Sequence, residues 1–212
     1  NVFVFFIMKA ILLKNKTLNY IEEINFIDDP LRLLRVYRFQ ANLNFELGAD
    51  TIHAICKYTD LISKPAKERV LYELMKLFNG KYCAYALLNM NKTWLLEEIF
   101  PIVKELKQIP PNSHHHLDLF HHSIETVRQV QILYENSSDT VKQHLDKVDF
   151  GGFSRLAHLK LAGFMHDIGN SQTGLVYFDI PQYSNQIDEG LPKLLALVCE
   201  YMYKDTVAVL PK

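Results

Sequence analysis

The fold of this chain is indicated by residues 28–47, which read DDPLRLLRVYRFQANLNFEL. Asp29 and Pro30 predict a helix start, because a carboxylate at this point is able to cap free backbone N–H groups and proline is harmless in the first turn. Leu31 and Leu34 begin an apolar stripe at helical spacing. The stretch therefore predicts an α-helix with one buried side.

Three arginines share one face of this predicted helix. Arg32, Arg35 and Arg38 are each three residues apart, which keeps them within an arc of about 120°. No acidic residue lies between residues 30 and 45 to neutralise them. Guanidinium groups match phosphate oxygens and the polar edges of bases, so the row predicts a phosphate or nucleotide site. A solvated helix face is the alternative interpretation.

The rest of the chain from residue 29 onward is predicted to be helical nearly throughout, so the fold class is all-α. Turn-forming residues at 110–113, PPNS, interrupt the helical pattern and predict a domain boundary there. The predicted domains are residues 1–27, 28–110 and 111–212. Further helices are expected at about 50–61, 64–78, 82–90, 93–107, 117–134, 155–167 and 191–203.

The composition indicates a globular protein and limits the classes of partner. Of 212 residues, 49% are hydrophobic, which excludes disorder as the main state. The 23 basic and 24 acidic residues nearly cancel, so binding to nucleic acid or membrane must rest on local charge. Residues 30–81 carry such a local excess, nine basic residues against five acidic ones. Cys56, Cys83 and Cys199 are widely spaced, which favours a reducing compartment and a cytoplasmic location.

The N-terminal segment, residues 2–13, is almost wholly apolar but is interrupted by Lys9. It is shorter than the roughly 20 residues that a membrane-spanning helix requires, so no membrane partner is expected. We interpret it as a buried strand or a frayed remnant. The chain begins with Asn1 and has Met8 inside the apolar run, so residues 1–27 are expected to be the remnant of a preceding domain.

Residues 28–47, followed by ERVLYELMKLF at residues 68–78, resemble the last nucleotide-binding motif and the neck of the tRNA nucleotidyltransferase (CCA-adding enzyme) and bacterial poly(A) polymerase family. The resemblance implies a role in RNA 3′-end maturation. Its expected partners are tRNA or another RNA 3′ end together with CTP or ATP, with Mg²⁺ as the metal of transfer and no specificity for DNA. Glu68 and Arg69 match the "ER" of the neck helix, where a structural ion pair is expected.

The same resemblance assigns roles to individual residues of the first motif. It implies that Asp29 and Arg32 present hydrogen-bonding groups to the Watson–Crick edge of CTP or ATP. Arg35 and Arg38 would then lie near the phosphates. Asp28 stands where the family usually has Glu, and it completes the predicted nucleotide-binding set.

The family's catalytic palm, which should precede residue 20, is not found in this sequence. Two-metal nucleotidyl transfer requires paired carboxylates that hold two ions at the reacting phosphate. Residues 1–27 do not supply such a pair. No catalytic residue is therefore predicted in this chain, and by itself it is not expected to polymerise nucleotides.

Histidines form the second pattern, with HHHLDLFHH at residues 114–122 and LAGFMHDIGN at residues 161–170. These stretches resemble the HD superfamily of metal-dependent phosphohydrolases, a domain that some bacterial tRNA nucleotidyltransferases carry after the neck. The resemblance implies that His122, His166 and Asp167 bind a divalent metal, with Mn, Ni, Fe or Zn as candidates. The family usually has a histidine where Gln186 stands, and its distal aspartate is expected beyond the last helix.

The sequence leaves two other functions open beside the tRNA nucleotidyltransferase fragment. The first is an HD-type phosphohydrolase acting on nucleotides or cyclic phosphates, which a distal aspartate brought in by the fold would favour. The second is a non-catalytic RNA-binding module, which RNA binding without metal would favour. The histidines at residues 114–116 are interpreted as part of a solvated linker.

Overall fold

The computed structural model describes residues 5–7, 11–14, 16–110 and 117–166. Helices dominate these residues, as the all-α fold class predicts. The predicted helix at residues 191–203 lies outside them. The α-helices are α1 (Ile24–Asp28), α2 (Leu31–Leu43), α3 (Ala49–Tyr58), α4 (Lys67–Phe78), α5 (Cys83–Lys92), α6 (Leu95–Ile99), α7 (Val103–Leu106), α8 (Leu119–Asn136), α9 (Asp139–Leu145) and α10 (Arg155–Met165).

A small four-stranded sheet accompanies the helices, and its first strand falls within residues 2–13, where a strand was predicted. Its strands are β1 (Phe5–Ile7), β2 (Ile11–Lys14), β3 (Thr17–Tyr20) and β4 (Glu46–Leu47). The first three are antiparallel neighbours in chain order, and β4 adds in parallel to β3. Leu18 pairs with Leu47 and is fully buried. This leucine joins the sheet to the helical core.

Helix α2 lies at the centre of the N-terminal half. Its predicted apolar stripe is buried, and it packs mainly against α4 and α5. Tyr37 is fully buried within this stripe, and its hydroxyl lies 2.6 Å from Oγ1 of Thr93. Burial raises the pKa of Tyr37 well above its usual value. The hydrogen bond therefore ties α2 to the residue that follows α5.

Gly80, just after α4, comes very close to the end of α2. A Cβ atom added at Gly80 would lie 2.7 Å from the carbonyl oxygen of Ala41 and 2.8 Å from its carbonyl carbon. The neighbouring backbone is tied down as well, because the Tyr82 amide donates to the Ala41 oxygen at 2.8 Å. Only glycine fits this approach of two backbones.

The helix predicted over residues 93–107 is broken into α6 and α7. Trp94 adopts a left-handed conformation, with φ 60°, before α6 begins. Phe100 leaves the helical region at φ −125° and ψ 83°, because the following Pro101 disfavours helical dihedrals in the residue before it. The proline was the available sequence signal for this break. The short helices α1 and α9 were not predicted, since each has too few residues for a clear period.

Helices α8 and α10 pack against each other and against the N-terminal half, α10 on α4 and α8 on α5. Phe164 of α10 lies with its ring centroid 6.0 Å from that of Phe78 and 5.8 Å from that of Phe100. One cluster of buried residues therefore runs from Leu18 to Phe164. The boundary near residue 110 stays a prediction, and apolar packing continues across it.

Gly151 and Gly152 end a short 3-10 turn ahead of α10, and both have positive φ. Ser154 then begins α10, and its hydroxyl accepts a hydrogen bond from the Ala157 amide. Among the described residues, no helix has the length and apolar character needed to cross a membrane.

Candidate functional site

The arginine row of α2 faces helix α4 and not open solvent. Nε of Arg35 donates to Oε1 of Glu73 at 3.3 Å, and Nη1 of Arg38 donates to Oε2 of the same carboxylate at 2.7 Å. The side chains of both arginines are only 13% exposed, and that of Glu73 is 6% exposed. The expectation of an unneutralised row is therefore wrong, because the neutralising acid comes from a distant helix.

Asp29 is the second anion among these arginines. Its Oδ2 accepts a hydrogen bond from Nη1 of Arg35 at 3.1 Å and lies 3.9 Å from Nε of Arg32. Its Oδ1 lies 3.9 Å from Nη2 of Arg69 in α4. The side chain does not cap α2, whose N-cap is Pro30. Asp29 instead holds the start of α2 against α4 through its carboxylate.

Arg32 is oriented from the other side by Asn25 of α1. Its Nη1 donates to the backbone oxygen of Asn25 at 2.9 Å and to Oδ1 at 3.0 Å. The Nε atom of Arg32 is buried, and within the described part of the chain it has no hydrogen-bond partner. A buried donor of this kind is costly, and a hydrogen-bonding ligand would satisfy it.

The remaining predicted residues of this region behave differently. Asp28 ends α1 and is exposed, and the described residues show no ion pair between it and the arginine row. Arg69 makes its ionic contact with Asp29 instead of the expected partner Glu68. Both outcomes depend on contacts between separate elements, which the linear motif does not specify.

The charge balance of the cluster favours an anion. Four guanidinium groups surround the carboxylates of Asp29 and Glu73, and Nζ of Lys76 lies 3.9 Å from Oε1 of Glu73. Two negative charges therefore face five positive ones. Because the carboxylates hold the arginines in place, the excess charge is presented by side chains that are already ordered.

Sequence reasoning missed Glu73 and Asn25. Glu73 had a usable signal, because it stands within the otherwise apolar side of α4, next to Leu74 and near Leu77. A carboxylate is rarely buried unless it is paired, so its position predicts a cationic partner. Asn25 carried no comparable signal.

The predicted metal ligands His122 and His166 lie together. Their Nε2 atoms are 3.2 Å apart, although the residues are separated by 44 positions. Nδ1 of His166 lies 2.8 Å from the carbonyl oxygen of Gly163. Since a carbonyl only accepts, that nitrogen carries the proton, and Nε2 of a neutral His166 presents its lone pair toward His122.

His121, the other histidine of the pair in sequence, points elsewhere. Its Nδ1 lies 2.6 Å from Oδ2 of Asp118, and its side chain is 54% exposed. Asp118 also caps α8, because its Oδ1 accepts from the His121 amide at 3.0 Å. Burial acts to raise the pKa of Asp118, but these hydrogen bonds lower it below the usual value. The cap fixes the first turn of α8, which carries His122.

The two facing nitrogens have a spacing that suits one shared cation. Two metal–nitrogen bonds of about 2.1 Å at tetrahedral or octahedral angles place the nitrogens about 3.0 to 3.4 Å apart. Asp167 and Gln186 lie outside the described residues. Among the residues that are described, no group of three or more metal-binding side chains assembles. The structure therefore presents a histidine pair that fits part of a coordination shell.

Comparison with known proteins adds sequence and fold relationships. Residues 44–107 match the family described as "Probable RNA and SrmB- binding site of polymerase A". The chain is 33% identical over 123 residues to an A-adding tRNA nucleotidyltransferase of Deinococcus radiodurans, covering 56% of this chain and 28% of that protein. It is 37% identical over 83 residues to a CCA-adding enzyme of Bacillus pumilus, covering 39% and 21%.

A longer match, 29% identical over 168 residues, is to a multifunctional CCA protein of Mannheimia succiniciproducens, covering 76% of this chain and 36% of that one. The chain therefore spans about a third or less of these relatives. A solved tRNA-processing enzyme superposes with a TM-score of 0.51 and 18% identity, over 74% of this chain and 38% of that one. A CCA-adding enzyme in complex with ATP gives 0.50 and 16%, over 86% and 36%. These two likenesses concern the fold alone.

Proposed function

We propose, because this chain is related to the tRNA nucleotidyltransferases and bacterial poly(A) polymerases, that residues 28–110 select a nucleotide and bind an RNA 3′ end. The observation that carries the proposal is the pair formed by Asp29 and Arg32 at the start of α2. Arg32 keeps a buried Nε donor without a partner among the described residues. The carboxylate and the guanidinium together offer the acceptor and donors that the edge of a cytosine or an adenine requires.

The neighbouring residues support this role by ordering the pair. Asn25 fixes the far side of the Arg32 guanidinium, and Glu73 holds Arg35 and Arg38 against α4. In the proposed complex the base meets Asp29 and Arg32, and the excess positive charge of the cluster faces the phosphates. Asp28 is proposed as an outer member of the same set.

Nucleotidyl transfer itself is proposed for the whole protein and is not assigned to residues of this chain. The relatives that carry the activity are about three or more times longer than the matched region. Divalent Mg²⁺ would serve that transfer at paired carboxylates of a palm domain. Within that protein, residues 28–110 would select CTP or ATP and bind the RNA. The proposed location of the protein is the cytoplasm.

Nucleotide binding by the full chain tests this proposal. Titration calorimetry with CTP and with ATP should show binding that Arg32→Ala weakens by about tenfold, the loss expected for one charge-assisted hydrogen-bonding group. Arg128→Ala is the matched control, because Arg128 is an exposed arginine of α8 paired with Glu125. If the unmodified chain binds neither nucleotide nor tRNA, the proposed function is incorrect.

A second candidate function is supported by the histidine pair. We infer that His122 and His166, together with Asp167, hold a divalent ion such as Mn, Ni, Fe or Zn in an HD-type site. An ion held by these residues would supply Lewis-acid chemistry for the hydrolysis of a phosphate ester. The Nε2 separation of 3.2 Å and the backbone contact that orients His166 support this inference.

Metal content provides the test of this second candidate. Purified chain should carry bound metal by elemental analysis, and His166→Ala should abolish it. His121→Ala is the matched control, since the His121 side chain is hydrogen-bonded to Asp118 and faces solvent. Hydrolysis of nucleotides or cyclic phosphates should then follow the metal content. Equal metal loss in both variants would argue against the assigned ligands.

A further inference from the structure

The outward face of α4 carries three side chains that the nucleotide-selecting set does not use for base recognition. Arg69, Tyr72 and Lys76 follow one another at spacings of three and four residues, which places them in one row along the helix. The Arg69 side chain is 60% exposed and Tyr72 is 50% exposed. We call these three residues the α4 stripe.

The aromatic ring at the middle of the α4 stripe is held in place from two directions. The ring of Phe153 contacts that of Tyr72 edge-on, with centroids 5.3 Å apart. Nζ of Lys76 lies 4.1 Å from the centroid of the Tyr72 ring. A half-exposed aromatic ring with a fixed orientation loses little conformational entropy when a planar group stacks on it.

The α4 stripe begins at the candidate nucleotide site. Nη2 of Arg69 is 3.9 Å from Oδ1 of Asp29, the residue proposed to face the incoming base. At a rise of about 1.5 Å per residue, Tyr72 follows Arg69 by about 4.5 Å along the helix axis. An RNA end that reaches Asp29 along α4 therefore passes over the Tyr72 ring.

We propose that the α4 stripe binds the unpaired 3′ end of an RNA strand, with a base stacked on Tyr72 and the adjacent phosphates contacted by Arg69 and Lys76. The inference rests on the proposed function and adds a stacking residue to it. Positively charged side chains next to an exposed aromatic ring are the combination by which proteins bind single-stranded nucleic acid. A protein partner would favour a patch with fewer charges at its centre.

The position of α4 in the chain and the side chain of Lys76 fit this proposal. The helix lies inside residues 44–107, which match the RNA-binding family. The long stem of Lys76 allows its ammonium group to leave the ring face for a phosphate when a base takes its place. Stacking then replaces a cation–π contact, and the positive charge gains a phosphate partner.

Binding of short RNA to the full chain tests the proposal. Fluorescence anisotropy compares two labelled single-stranded RNAs of equal length. The natural strand ends in CC, and the abasic strand keeps the last two sugars and phosphates but lacks their bases. The natural strand should bind more tightly, and Tyr72→Ala should weaken its binding at least about fivefold while removing its advantage over the abasic strand. Tyr72→Phe keeps the ring and should stay within about twofold of the unmodified chain.

Trp94→Ala is the matched control, because Trp94 is another exposed aromatic residue of the RNA-binding segment, 56% exposed. It should stay within about twofold of the unmodified chain. Equal losses in Tyr72→Ala and Trp94→Ala, or equal binding of natural and abasic strands by the unmodified chain, would overturn the stacking role alone. Absence of all RNA binding by the unmodified chain would overturn the proposed function with it.

Discussion

The ammonium group of Lys160 donates a hydrogen bond to the carbonyl oxygen of Gly80 at 2.9 Å, joining two residues that are 80 positions apart. Lys160 has no exposed surface. Burial lowers its pKa below the ordinary value of 10.5, against the opposing influence of Cys83 and Glu135. The cation thus links α10 to the end of α4 at a cost in desolvation.

This burial predicts a pH dependence of stability. Because the pKa of Lys160 is lower in the folded state, the folded chain binds fewer protons than the unfolded chain in the range just below pH 10.5. The free energy of unfolding contributed by this residue therefore rises as pH increases toward that value. Lys160→Met should remove the rise, as measured by urea unfolding between about pH 8 and pH 10.

Lys104→Met serves as the control for this measurement, since Lys104 is an exposed residue of α7. It should leave the pH dependence of the unfolding free energy unchanged. A similar rise in the Lys160→Met chain would show that other groups produce it.

Glu73→Ala should destabilise the chain strongly. The substitution leaves Arg35 and Arg38 largely buried without their shared carboxylate, and breaking such a pair costs about 3 kcal/mol in comparable cases. Chemical unfolding measures the loss. Glu68→Ala, in the exposed first turn of the same helix, should change stability by less than about 0.5 kcal/mol. Equal effects would mean that the buried ion pairs contribute little.

Gly80→Ala should lower the melting temperature, because the added Cβ would lie within 2.8 Å of the Ala41 backbone, which cannot move freely. Overpacking of this kind costs about 1 to 3 kcal/mol. Gly163→Ala provides a comparison, since its Cβ would meet a methyl group of Thr126 at 3.2 Å. That contact is longer and involves the end of a side chain instead of backbone, so the melting temperature of Gly163→Ala should fall less. The reverse order would contradict the described approach of α2 and α4.

The salt dependence of tRNA binding should separate exposed arginines from paired ones. Arg69→Ala removes a largely exposed charge and should reduce the slope of log affinity against log salt by about one. Arg35→Ala should reduce the slope less, because Arg35 is already paired with Asp29 and Glu73. Filter binding at several salt concentrations measures both. Equal slopes for the two variants would show that Glu73 does not hold Arg35 away from phosphate.

Local patterns predicted most of the helices but not the partners of their charged residues. Leucine spacing and Pro30 were sufficient to predict α2, which extends over Leu31–Leu43. The neutralisation of the arginine row was not predictable from neighbouring residues, because Glu73 reaches it only through the packing of α4 on α2. The usable sequence signal was the position of Glu73 on the otherwise apolar side of α4, where a carboxylate is rarely buried unless it is paired.

In the C-terminal half, too, contacts between distant residues were not predictable from local sequence patterns. The nearness of His122 and His166 was expected from a family resemblance, since nothing in the spacing of two distant histidines requires them to meet. A helix was also predicted over about residues 93–107. The left-handed conformation of Trp94 delays its start to Leu95, and Pro101 divides it into α6 and α7.

The Phe164 ring lies against the rings of Phe78 and Phe100. This contact limits which C-terminal helices could replace those of this chain. The aromatic contacts belong to α10 on one side and to Phe78 of α4 and Phe100 after α6 on the other, so this part of the core is shared by both halves. A chimera that takes its C-terminal helices from a relative would therefore need matched side chains at this three-ring junction. Separating the two halves would expose aromatic surface on both.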